Sequence, residues 1–109
     1  MAEPTLQEIF GANSYQDSSY LYISKTDLEA VGLIFNEENS GESLLAATIA
    51  IAQQHLTLTN QESNVDQSIV IDNGLPALIS RNDSTYRQIS KNITFEKLDN
   101  QTTFNPNDY

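Results

Sequence analysis

Cysteine is absent from the chain, so neither a disulfide framework nor a thiolate metal site can form. Histidine occurs once, at His55, which leaves the usual zinc and iron ligand sets short of members. Tryptophan is missing. The four glycines, Gly11, Gly32, Gly41 and Gly74, stand singly where turns or helix ends are expected, and none belongs to a phosphate-cradling run. No stretch of about 18 consecutive apolar residues occurs, so nothing qualifies as a membrane-spanning helix. Basic residues are scarce: five stand against fifteen acids, for a formal charge of −10. A charge of that sign repels phosphate backbones, so direct nucleic-acid binding is not expected. The opening Met1-Ala2-Glu3-Pro4 is acidic and carries no apolar run. It does not read as a secretory signal, and the expectation is a chain made in the cytoplasm.

What is present suffices for one folded domain of 109 residues. The chain holds 24 Ile, Leu and Val and nine aromatics, spread over its whole length. That supply argues against wholesale disorder. The charge is unevenly placed. Residues 1–80 carry eleven acids and one base, Lys25, whereas residues 81–109 carry four acids and the four bases Arg81, Arg87, Lys91 and Lys97. The acidic excess serves solubility, or it presents an acidic face to a basic partner. The basic segment of a second copy would serve as such a partner, head to tail, in a ring or lattice.

The patterning predicts an α+β domain: a small, mostly antiparallel sheet packed on one main helix over about 42–58. Residues 1–19 read as an N-terminal arm with a short helix, 20–98 as the core and 99–109 as an extended C-terminal arm. In the first arm Thr5 can cap, Leu6, Ile9 and Phe10 share a face, and Gly11 can end the turn. Residues 20–23 alternate as a strand with Tyr20 and Tyr22 on one face. Thr26-Asp27-Leu28-Glu29 matches a capping box, and Leu33-Ile34-Phe35 reads as a second short strand. The main helix is led by Asn39 or Ser40 as cap and by Glu42 in the first turn. Its two apolar rows are Leu44, Thr48, Ile51, His55 and Leu58, and Leu45, Ile49, Ala52 and Leu56. Beyond it the period changes to two. Residues 65–72 read as a strand and Asp72-Asn73-Gly74 as a turn. Residues 75–79 read as an edge strand interrupted by Pro76, Arg81-Asn82-Asp83-Ser84 as a turn, and 86–98 as one long strand with Ile89, Ile93 and Phe95 on one face.

No catalytic constellation emerges. His55 falls on an apolar row and reads as a residue bordering the core. Ser40-Gly41-Glu42-Ser43 lacks the Gly-x-Ser-x-Gly of a hydrolase elbow. The pairs Glu37 and Glu38, or Asp66 and Asp72, match no calcium loop. The three Asn-x-Ser/Thr matches, at Asn82, Asn92 and Asn100, are chance matches in a chain with 19 Asn and Gln. A non-enzyme without metal or cofactor is expected. Contact features remain. The aromatics Tyr15, Tyr20, Tyr22, Tyr86, Phe104 and Tyr109, with the apolar trio Leu6, Ile9 and Phe10, are the candidate protein-interface residues.

Four passages carry a family resemblance. They are Pro4-Thr5-Leu6-Gln7-Glu8-Ile9-Phe10-Gly11, Ser43-Leu44-Leu45-Ala46-Ala47, the stretch from Ser80-Arg81-Asn82 to Tyr86-Arg87-Gln88, and Asn105-Pro106-Asn107-Asp108-Tyr109. Together they resemble small structural proteins of tailed bacteriophages and prophages. The resemblance implies a virion subunit made in the host cytoplasm, foremost a capsid cement (decoration) protein. Its partners would then be the major capsid protein or other virion subunits, with self-association, and neither nucleic acid nor membrane. A tail, neck or baseplate subunit is the alternative. An acidic cytoplasmic inhibitor of a basic protein surface is a third reading, for which 18% charged residues is thin.

Overall fold

A computed structural model describes residues 3–99 and 103–109, and its elements begin where the sequence supplies caps. Helix α1 spans Leu6–Phe10. The Glu8 N–H donates to Thr5 Oγ1 (3.2 Å) and the Thr5 N–H donates to the Glu8 carboxylate (2.9 Å), a reciprocal box that satisfies two orphan donors. Strands β1 (Tyr15–Gln16) and β2 (Leu21–Tyr22) pair antiparallel as a small hairpin. A 3-10 helix follows at Asp27–Val31. The box expected at Thr26 does not form: Thr26 is itself helical and its side chain caps nothing. The Asp27 carboxylate is instead occupied by Asn13, accepting its N–H (2.7 Å) and its Nδ2 (2.6 Å). The strand expected at 33–35 is absent too. Leu33 is buried while Ile34 is 84% exposed, so the segment serves to plug one apolar side chain into the core.

Helix α2 (Gly41–Gln53) is capped by Ser40, whose Oγ accepts from the Ser43 N–H (3.1 Å). It is covered on two sides. Ala47 and Ile51 pack with Leu28 and Leu33, and Ala52 packs with Leu56 and Ile71, with Ile9 and Ile49 half-buried alongside. The helix stops at Gln53 and does not run to 58 as its apolar rows predict. The N–H groups of Gln54 and His55 bond back to Ile51 and Ala52, tightening the last turn. Thr57 then caps a separate helix α3 (Leu58–Ser63), and Asn60 Nδ2 takes up the carbonyl of His55 (2.9 Å).

The remaining strands form one ribbon. β3 (Ile69–Asn73) pairs with β6 (Lys91–Phe95), and β4 (Ala77–Arg81) pairs with β5 (Ser84–Gln88), all antiparallel. The Gly74 N–H donates to Ser90 (2.8 Å), after which Leu75 and Pro76 face Ile89 alone. The first strand thus carries one extra residue, as in a bulge, placed at a proline that has no N–H to offer. The predicted strand over 86–98 is accordingly split into β5 and β6. The ribbon closes at Asn82 (φ 51°) and Asp83 (φ 61°), the left-handed pair of a type I′ turn.

The base of the ribbon is fastened to α2. The Ile71 N–H donates to Leu56 (2.8 Å), and Lys91 Nζ donates to Gln53 (2.7 Å) and to Asn73 (2.8 Å). The α+β expectation is borne out, with three two-stranded antiparallel ladders in place of one sheet. Neither end is an extended arm within the described residues. α1 packs on α2 through Ile9. Residues 103–109 fold back on Phe95, ending in a 3-10 turn at Pro106–Asp108. Residues 1–2 and 100–102, parts of the two expected arms that include the Asn100-Gln101-Thr102 match, lie outside the described residues. The radius of gyration is 16.2 Å, above the roughly 13 Å of a compact chain of this length, and the longest dimension is 47 Å. The ribbon accounts for the excess.

Candidate interaction surfaces

The outer half of the ribbon is the most unusual surface. All ten residues of β4 and β5 are exposed. Cross-strand pairing sorts them into two faces. Ile79 lies opposite Tyr86 on one, with Arg81 stacked over the Tyr86 ring at 4.4 Å from its centroid. Leu78 lies opposite Arg87 on the other. Neither arginine pairs with a carboxylate among the described residues. Among the described residues no further strand pairs with either ribbon edge, leaving backbone N–H and C=O groups unmatched.

A second surface is the small hairpin near the N-terminus. Tyr15 and Tyr22 stack with centroids 4.3 Å apart, and Tyr20 leans on Tyr22 at 6.1 Å. All three rings are exposed. Asp17 holds the turn between them by accepting from the N–H groups of Ser19 and Tyr20 (2.8 Å each) and from the Tyr22 hydroxyl (3.1 Å). Those backbone donors hold its carboxyl below the ordinary aspartate range, the tyrosine bond adding to them.

The third is an apolar groove of about 310 Å³ between α1, the ribbon base and the folded-back end. Ile9, Phe10, Phe95, Phe104 and Tyr109 line it, and Phe95, Phe104 and Tyr109 form a ring cluster with centroids 4.9 to 5.6 Å apart. An ion pair between Lys97 and Asp108 clamps that end in place. Gln67, also in the wall, spends its amide N–H groups on Thr57 and Ile69.

A fourth, wider groove of about 650 Å³ runs between α1, the 3-10 helix and the end of α2. Its walls carry Glu8, Asp27 and Glu29, with His55 Nδ1 3.5 Å from Glu8. The Thr5 N–H, more than the His55 ring, holds the Glu8 carboxyl below the ordinary glutamate range. Asp27 is spent on Asn13, whereas the Glu29 carboxylate has no hydrogen-bond or ion-pair partner among the described residues. No group of three or more potential metal ligands assembles among the described residues. No described helix is long and apolar enough to cross a membrane.

The nine interface candidates are therefore distributed over separate places. Tyr15, Tyr20 and Tyr22 meet on one patch, and Ile9, Phe10, Phe104 and Tyr109 meet in the apolar groove. Tyr86 is alone on the ribbon, and Leu6 is half-buried on α1. Reading the sequence missed Leu78, Ile79, Arg81 and Arg87 as a surface. The turn at Arg81-Asn82-Asp83-Ser84 is legible in the sequence, but the exposure of both ribbon faces is not. No family model, no curated protein and no solved structure matches the chain.

Proposed function

We propose that the chain is a non-enzymatic structural subunit of a protein particle, holding its neighbours through the ribbon at 77–88. The observation that carries this reading is the ribbon itself: a two-stranded arm with open edges, exposed on both faces. An isolated two-stranded ribbon is marginal in water. Keeping one at full extension with Leu78, Ile79 and Tyr86 in solvent makes physical sense where a neighbour covers it. Strand addition to an open edge supplies backbone hydrogen bonds, and alternate side chains supply specificity. The aromatic patch at Tyr15, Tyr20 and Tyr22 offers a further contact of the same kind.

That the particle is a virion of a tailed phage rests on the sequence resemblance alone. Within it, a capsid cement protein and a tail, neck or baseplate subunit are the two readings. The paired presence of a basic arm and an acidic body on one chain favours the tail, neck or baseplate reading. The test is rate-zonal sedimentation of lysates from the cell that encodes the chain. The chain is expected to travel with a large particle at fixed stoichiometry, and a version with 77–88 replaced by a short turn is expected to remain at the top. If the intact chain stays at the top as well, the particle reading is wrong.

A further inference from the structure

We infer that the occupant of the ribbon arm is a second copy of this chain, with Arg81 and Arg87 seated against the acidic groove beside Glu29. The inference rests on the assembly reading above and names its partner. The arm differs from the rest of the molecule in charge. Fourteen of the fifteen acids and three of the five bases lie outside 77–88. Those three bases are all engaged within the chain: Lys25 on the Asn36 carbonyl (2.9 Å), Lys91 on Gln53 and Asn73, and Lys97 on Asp108. The guanidinium groups of the arm's two arginines, by contrast, have neither a carboxylate nor a hydrogen-bond acceptor among the described residues. An otherwise acidic molecule thus extends on its ribbon two cations that no carboxylate neutralises, Arg81 resting only on the Tyr86 ring.

The wide groove complements that arm in charge and in its apolar lining. Its walls combine Glu29 and Glu8 with the apolar Ala12, Ala30 and Ile51. The arm combines its arginines with Ile79 and Tyr86 on one face and Leu78 on the other. A ribbon end inserted in a groove places both faces against a wall, so both arginines reach acids. Exposed ion pairs contribute little by themselves. In this contact the charges supply orientation and rate, and covering the apolar residues supplies affinity. The two patches share no residue, so the contact is heterologous: each copy gives an arm and receives one. Such contacts end in a closed ring or run on as a filament.

The test is analytical ultracentrifugation of the purified full chain in about 0.1 M and about 1 M salt, between which the screening length falls from roughly 10 Å to roughly 3 Å. The chain is expected to associate in the lower salt and dissociate in the higher. Arg81→Gln/Arg87→Gln, and separately Glu29→Arg, are each expected to weaken association by about tenfold or more, with unchanged circular dichroism. Mixed in equal amounts, the two variants are expected to form a heterodimer and nothing larger, because one retains a working groove and the other a working arm. A wild-type chain that stays monomeric in the lower salt overturns the inference, and so does a mixture without heterodimer. If the chain nevertheless sediments with a large particle in its own cells, the assembly reading survives with a different partner. If it does neither, both fall.

Discussion

Gly11 lies so close to Asp27 that a β-carbon built on it would stand 2.6 Å from the Asp27 Cβ. Its φ of +117° is also one that side chains rarely adopt. The two constraints act together, since Asp27 is held in place by its bonds to Asn13. Gly11→Ala is therefore expected to lose more stability than Gly32→Ala. Gly32 is left-handed as well, at φ +99°, but has nothing within 4 Å of an added β-carbon. The left-handed backbone at Gly32 costs another residue about 1–2 kcal/mol; Gly11, at ψ 151°, lies in a region open essentially to glycine alone, and Gly11→Ala adds the displacement of Asp27. Urea midpoints of the two variants compare them directly. Equal midpoints would mean that the close approach constrains nothing.

Burial along α2 sets a second contrast. Leu28, the most deeply buried large side chain, closes the cluster formed by Leu33, Ala47 and Ile51. Leu28→Ala is expected to cost about 2–5 kcal/mol through lost burial and the cavity left behind. Leu45 is 61% exposed, so Leu45→Ala is expected to stay within about 0.5 kcal/mol of wild type. Thermal unfolding followed by circular dichroism separates them. A large loss at Leu45 would show that its face of α2 is covered in solution.

Leu45 also marks how far the sequence could be read. The start of α2 was legible because Ser40 and Glu42 are local signals that act within one turn. Its end was not, because Gln54, His55 and Leu56 keep the helical period while Thr57 and Asn60 divert the backbone through bonds that periodicity does not register. Both apolar rows were visible, yet the elements packed on α2 cover two of its sides, and Leu45 is left outside. The turn at Arg81-Asn82-Asp83-Ser84 was likewise local and legible. The break at 89–90 was not, since it follows from one extra residue on the opposite strand. The interface aromatics were recognisable as a class. Their grouping depends on the fold, which brings Phe104 and Tyr109 back onto Phe95.

Asp17 gives the acid limb of stability a defined contributor. The N–H groups of Ser19 and Tyr20, with the Tyr22 hydroxyl, favour its ionised form and lower its pKa in the folded chain. The unfolded state therefore binds its proton more readily. Its stabilisation is fully present above the ordinary aspartate pKa of about 3.9 and is lost as pH falls through the lower folded value. Asp17→Asn is expected to flatten the decline of the urea midpoint below about pH 4 and to change little of its pH dependence near neutrality. A variant whose acid limb keeps its wild-type slope would show that the hairpin turn is not held by this carboxylate.

The ring cluster at the C-terminal end makes a separate, local prediction. Phe104 stacks on Tyr109 and meets Phe95 edge-on. Each such pair contributes about 0.5–1.5 kcal/mol beyond its buried area. Phe104→Ala is expected to speed amide exchange across 105–109 while leaving exchange in α2 unchanged. Uniform acceleration through the chain would place the cluster in the global unfolding unit.

At the ribbon tip, Asp83 occupies a left-handed position with φ 61° in the second place of the type I′ turn, where glycine is the preferred residue. Asp83→Gly removes that strain, and it also removes the one acid of the arm. Relief of about 1 kcal/mol in a ribbon that unfolds locally is expected to slow amide exchange of the paired N–H groups in β4 and β5 by about fivefold. The exchange of β3, which is anchored to α2, should not follow. Asp83→Val is expected to act in the opposite sense, because a β-branched side chain tolerates this conformation poorly. If both variants leave β4 and β5 exchanging at the wild-type rate, the ribbon opens by a route that does not pass through its turn.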